Sequence, residues 1–273
     1  MVFFITVLRA LAACLITNAH YTGIYPTDLI ANGGLIGDVL FFAVSGYCLY
    51  NVKMSFPRWY GKRLYRVYPP VLIMTLVYVL LGAYSLADNN AVWWFIYPTY
   101  YHFVASIIVL YIPFYFCMKI DWIKEHLLGV MGAVAIVWML IYITIYDKSY
   151  YHIDTVREPM IRFLFMESML LGAWFRQNDA KIRNKFKAWH PFAMFGMFLI
   201  YFASKLLFSR KESLSQFQFL NQIAIFALLV LMFMTFAGLD SKLEKIPGWI
   251  KKVIGFISSI TLEIYLVHRK ISI

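Results

Sequence analysis

"LRALAACLITNAH", residues 8–20, decides how the rest of the chain is read. The stretch is apolar enough to lie in hydrocarbon, yet it carries Arg9 and His20. Ionisable side chains inside a membrane segment cost several kcal/mol, roughly, unless they are paired or face a wet cavity. Outward from this segment the composition is of one kind. Of 273 residues, 62% are hydrophobic and only 14% charged, which no soluble globular domain of this size shows. Apolar runs of about 16 to 20 residues recur along the sequence, long enough to cross hydrocarbon as helices. About nine are read, at 3–20, 33–52, 67–84, 101–118, 127–146, 160–175, 191–208, 220–238 and 253–268. The expected fold is all-α, a polytopic transmembrane helix bundle forming one domain over 1–273, with no internal repeat, low-complexity tract or soluble domain.

A net charge of +11 raises the question of nucleic acid, and the placement of the bases answers it. Lys53, Arg58, Lys62, Arg63 and Arg66 fall in loop 53–66. Lys119 and Lys124 fall in 119–126, five bases from Arg176 to Lys187 in 176–190, and four lysines from Lys242 to Lys252 in 239–252. These are alternate loops, and those between them are poor in base. Such alternation orients a membrane chain, so the amino terminus is expected in the cytoplasm, the carboxyl end outside, and no nucleic acid is expected as a partner. Cys14, Cys48 and Cys117 all lie in apolar spans and read as packing residues rather than disulfide partners. "LAAC" at 11–14 resembles a lipoprotein cleavage box, but Arg9 interrupts the apolar core such a signal needs.

At about 100° per residue, Arg9 and His20 fall within about 20° of each other around a helix and about 16 Å apart along it. One shared face implies an inward polar stripe. Taken singly, the two have plainer readings, Arg9 snorkelling to the surface and His20 sitting at the outer interface. The second run, "GGLIGDVLFFAVSGYCLYN", opens with Gly33, Gly34 and Gly37, which allow close helix approach. Asp38 follows. Near the outer ends of consecutive helices, Asp38 either stabilises the His20 imidazole or caps the second helix, and both readings stand. Ser45 has no evident base beside it and reads as packing. In "FPRWYGKRLYRVYPP", residues 56–70, Arg63 and Arg66 are i, i+3 neighbours suited to clasping a phosphate. The competing reading is an orienting charge cluster that attracts anionic lipid. Pro69 and Pro70 are expected to pin the start of the third span.

Arg-x10-His in the first span, "GDVLFFAVSGY" in the second, "KRLYRVYPP" before the third, "YHFVASIIVLYIPFYF" in the fourth and "SSITLEIYLVH" near the end resemble, in that order, the membrane-bound acyltransferase 3 family. The resemblance covers most of the chain. It implies a multi-pass enzyme of the bacterial inner membrane that moves an acyl group, usually acetyl from acetyl-CoA, to a hydroxyl of a cell-envelope or exported saccharide. It assigns Arg9 and His20 to the catalytic centre and Arg63 and Arg66 to the acyl donor; by position, Asp38 joins the first pair and Lys62 the second as candidate site residues. The family usually has about ten spans, so one last helix is expected to be missing after His268. Glu167, in "FLFMESMLLGAW", departs from the family's apolar habit there and reads as an inward polar group.

Acyl transfer from a thioester needs a base for the acceptor hydroxyl, and His20 is the candidate. Arg9, some 16 Å away by helical rise, is expected to line the donor channel or to stabilise the bundle. Glu263 and His268 lie five residues apart, on different helix faces. His20, His102, His152 and His268 fall on the outer side but lack ligand spacing, and no metal is expected. Trp93, Trp94, Tyr100 and Tyr101 read as an interfacial aromatic belt or as sugar-stacking rings. Two other functional classes remain open: a transporter or flippase for a sugar or lipid-linked glycan, and an inactive shortened homologue.

Overall fold

A computed structural model describes residues 2–27, 31–85, 87, 101–155 and 159–267. Among these there is no strand. The helices are α1 (Phe3–Asn18), α2 (Gly34–Leu49), α3 (Phe56–Leu80), α4 (His102–Lys119), α5 (Asp121–Glu125), α6 (Leu127–Thr144) and α7 (Ile161–Gln177). They continue with α8 (Asp179–Ile182), α9 (Trp189–Arg210), α10 (Phe219–Gly238), α11 (Asp240–Leu243), α12 (Gly248–Ser259) and α13 (Thr261–Val267). A 3-10 turn, Glu212–Phe217, precedes α10. Five of them, α3, α4, α6, α9 and α10, are long and apolar enough to cross a membrane by themselves, and α1 and α2 are shorter apolar helices. The chain is a polytopic helical membrane bundle.

Its centre is α2. Twelve of the sixteen residues of α2 are buried, as expected of a helix apolar all round. Glycine is what lets its neighbours close in. A Cβ on Gly46 would stand 1.9 Å from the carbonyl oxygen of Met169, and one on Gly172 of α7 would stand 1.8 Å from that of Ala43. The two glycines are therefore reciprocal notches, each seating the other helix's backbone. Gly37 does the same against α1, where a Cβ would meet the Ala12 carbonyl oxygen at 2.7 Å. Phe42 and Phe165 stack across the α2–α7 seam with ring centroids 4.3 Å apart. The helices α3, α6 and α9 form the periphery; only 11% of the α9 span is buried.

Four sequence boundaries shift. α1 ends at Asn18, so His20 lies in the turn after the helix, held by its N–H to the Thr17 carbonyl. Most of the basic segment 53–66 is helix, because α3 begins at Phe56 with Pro57 in its first turn, where a missing N–H is harmless. Pro69 and Pro70 thus sit inside α3 rather than at its start, leaving the carbonyls of Tyr65 and Arg66 without their helical donors. The last run is two helices, broken at Ile260, where Ser259 Oγ donates to the Phe256 carbonyl and competes with the backbone ladder.

Long-range polar contacts fasten one end of the bundle. The Phe4 N–H, unpaired within α1's own first turn, donates to Asp240 Oδ1 at 2.8 Å. Burial pushes the Asp240 carboxyl above its usual range, an effect partly offset by that N–H and by Arg183 at 3.8 Å. Tyr47 Oη donates to Asp179 Oδ1 at 2.6 Å, and the Asn184 N–H donates to the Ala237 carbonyl.

Candidate active site

Two cavities lie end to end along the bundle. The one toward the basic end, about 130 Å³, is lined by Arg9 from α1, Arg63 and Arg66 from α3, Ser45 and Cys48 from α2, and Tyr111 from α4. Three guanidinium side chains converge there, and among the described residues none forms an ion pair with a carboxylate. Among the described residues, the hydrogen-bond partner of Arg9 Nη2 is Cys48 Sγ, at 3.8 Å. Arg63 lies over the Trp59 ring, 5.4 Å from its centroid, and its buried Nε has no hydrogen-bond partner among the described residues. Uncompensated cationic forks of this kind suit a phosphate or pyrophosphate group. The i, i+3 relation of Arg63 and Arg66 brings both to this cavity. Lys62 is exposed and does not line it.

The second cavity, about 400 Å³, holds His20, Asn32, Asp38, His102, Asp154 and Lys205 among its walls. His20 Nδ1 lies 2.8 Å from the Ile16 carbonyl oxygen. A carbonyl only accepts, so the neutral ring carries its proton on Nδ1 and its lone pair on Nε2. Asp38 does not cap α2: the N-cap is Gly33, at φ 98°, whose N–H is taken by Asn32 Oδ1. Asp38 instead sits a turn further on, buried, against the cavity that holds His20.

Asp154 and Lys205 belong to no sequence motif, yet they form an ion pair at 2.6 Å in this cavity. The loop carrying Asp154 is pinned by Gln218, whose Oε1 accepts the N–H groups of His152 and Ile153, and by Gln222, which donates to the Ile153 carbonyl. A lysine inside a run expected to span hydrocarbon was the available signal for Lys205.

Arg9 and His20 thus line different cavities. Ile16, seven residues beyond Arg9 and on its face of α1, lines the outer one, which puts the two levels about 10 Å apart along the helix. Phe103 lines both. Its ring lies 5.4 Å from that of Phe41, which lines the arginine side, and 5.2 Å from that of Tyr265, which lines the histidine side. The three rings form a septum between the chambers.

Other candidates fall elsewhere. Glu167 faces a lateral groove between α6, α7 and α10, not either cavity. Glu263 is exposed and Tyr101 is buried. His102 shares the outer cavity with His20, and among the described residues no three His, Cys, Asp or Glu side chains gather as a metal site. Trp93, Trp94, Tyr100 and His268 lie outside the described residues.

The chain matches the family model described as "Acyltransferase domain" over residues 2–271. No curated protein and no solved structure gives a match.

Proposed function

Because the chain belongs to the acyltransferase 3 family and is a multi-pass membrane acyltransferase, we propose that it moves an acetyl group from acetyl-CoA to a saccharide hydroxyl, with His20 as general base. The acceptor is a cell-envelope or exported glycan, and the membrane is the bacterial inner membrane. The supporting observation is the shared Phe103 wall, which sets an anion-seeking arginine chamber directly beside a chamber holding a base-competent imidazole.

Arg9, Arg63 and Arg66 hold the phosphates of the donor, and its extended arm carries the thioester past Phe103. His20 Nε2 removes the proton from the acceptor hydroxyl as its oxygen attacks the thioester carbonyl. The new C–O bond forms, the C–S bond breaks, and the proton held on His20 passes to the departing thiolate sulfur. Asp38 favours the transient imidazolium, and the ion-paired Asp154 and Lys205 offer hydrogen-bonding groups to the acceptor. Serving an external acceptor from a cytosolic donor requires such a through-membrane arrangement.

The test is transfer of radiolabel from acetyl-CoA to envelope saccharides by the purified protein. Transfer that disappears in His20→Ala at equal expression supports the assignment; transfer unchanged in that variant removes His20 from the reaction.

A further inference from the structure

A third cavity, about 680 Å³, lies in the seam between α1 and α9. The helix α9 packs chiefly on α10 and the 3-10 turn, and α1 on α2, α12 and α13, so this seam is left open. Its floor is hydrocarbon: Leu15 on one side, Phe198, Phe202 and Leu206 on the other. Leu199, also in the trough, is 52% exposed at the bundle's lipid-facing surface. Polar side chains appear at one end only, and two of them, Asn32 and Lys205, are also walls of the cavity that contains His20. The trough and the His20 chamber therefore meet at those two residues.

We infer that the acceptor is membrane-borne: a lipid whose hydrocarbon chain lies in the α1–α9 trough while its hydroxylated head passes between Asn32 and Lys205 to His20. This rests on the acyl-transfer reading above and narrows its acceptor. A free, water-soluble saccharide has no use for an apolar trough opening sideways into the bilayer, whereas a lipid-linked sugar matches it end for end. Its chain meets the aromatic and aliphatic floor, and its hydroxyls meet a carboxamide and an ammonium already held in place by Asp154.

The intact protein in phosphatidylcholine nanodiscs is irradiated with an alkyl glucoside carrying a mid-chain diazirine, and adducts are mapped by peptide mass spectrometry. Adducts are expected on Leu15 and on 198–206, despite the excess of phospholipid. Excluding even two methylenes lowers occupancy about tenfold, so Ala203→Trp and, separately, Leu199→Trp, both at exposed positions, should cut these adducts by about that factor. Equal labelling by a matched diazirine hydrocarbon without the sugar overturns the inference, because the trough then takes any chain. So does labelling spread evenly over the lipid-facing helices, or labelling indifferent to both tryptophans. The adduct map needs no acetyl-CoA, so it decides the trough even if no saccharide is acetylated. Transfer to free glucose equal to transfer to the glucoside would leave the enzyme intact and overturn the membrane-borne acceptor.

Discussion

The backbone N–H of Phe103, in the uncapped first turn of α4, donates to the Tyr265 hydroxyl at 3.2 Å, tying that turn to the last described helix. The same two residues supply two of the three rings that separate the arginine chamber from the histidine chamber. On the proposed route, a donor thioester displaces or skirts them. Phe103→Ala should therefore relax acyl-chain choice, raising the hexanoyl-CoA to acetyl-CoA ratio of kcat/KM by about tenfold, the size expected for a few methylenes in an apolar pocket. Competition assays with paired donors measure it, and an unchanged ratio would show that the septum is not on the acyl group's path.

Converging guanidinium groups make a quantitative distinction among the bases of α3. Hydrogen bonds to charged groups are worth roughly 1.5–3 kcal/mol, so Arg63→Ala should weaken acetyl-CoA binding by about ten- to a hundredfold. Lys62→Ala, one position earlier but outside the cavity, should change it less than about twofold, as expected for an exposed charge. Equilibrium binding to protein in detergent separates the two.

The proton on His20 Nδ1 is committed to the Ile16 carbonyl. Asparagine can keep such a donor but offers no base. His20→Asn is expected to retain the thermal stability and acetyl-CoA affinity of the parent while losing about 10²- to 10⁴-fold in transfer rate, the usual span for a general base. Loss of donor affinity in parallel would make His20 a structural residue instead.

A methyl group on either Gly46 or Gly172 would lie within 2 Å of a carbonyl oxygen of the opposing helix. Gly172→Ala must push α7 off α2, at a cost of roughly 2 kcal/mol or more. Gly132 on α6, where an added methyl would meet nothing within 4 Å, should accept alanine without loss. Melting temperatures in one detergent compare them directly.

Asp240 offers a pH test. Its carboxyl holds a proton more tightly in the fold than in the unfolded chain, since burial outweighs the Phe4 N–H and Arg183. It therefore favours the fold most fully below the unfolded carboxyl's value, about pH 4. That contribution declines as pH rises through the higher native value. Asp240→Asn keeps an acceptor for Phe4 without titrating. The melting temperature of the parent minus that of the variant should fall with rising pH from about 4 and then level off; a flat difference would mean the carboxyl is not perturbed.

Much of this architecture is legible without coordinates, for physical reasons. Hydrocarbon admits little but helices, so runs of apolar residues fix the class, and the cost of an unpaired Arg9 fixes which way its face turns. Arg63 and Arg66 are legible as neighbours because i, i+3 spacing is local. Where α1 stops is not, since the side chain of Asn18, its last residue, serves contacts with Asn32 and Tyr25 that only the fold assembles. The charged start of α3 reads as loop because hydropathy falls where bases accumulate, although nothing in those residues forbids a helix. Asp154 is illegible from sequence: its position depends on Gln218 and Gln222, more than sixty residues on.

The clasp between Phe4 and Asp240 joins residues 236 positions apart. In chain order α1 precedes α11 by ten helices, so the first turn of α1 gains this acceptor only once α10 has been made. Until then its first-turn amide lacks this acceptor, so a nascent chain arrested before Asp240 carries Arg9 on a helix whose opening turn is still unfastened.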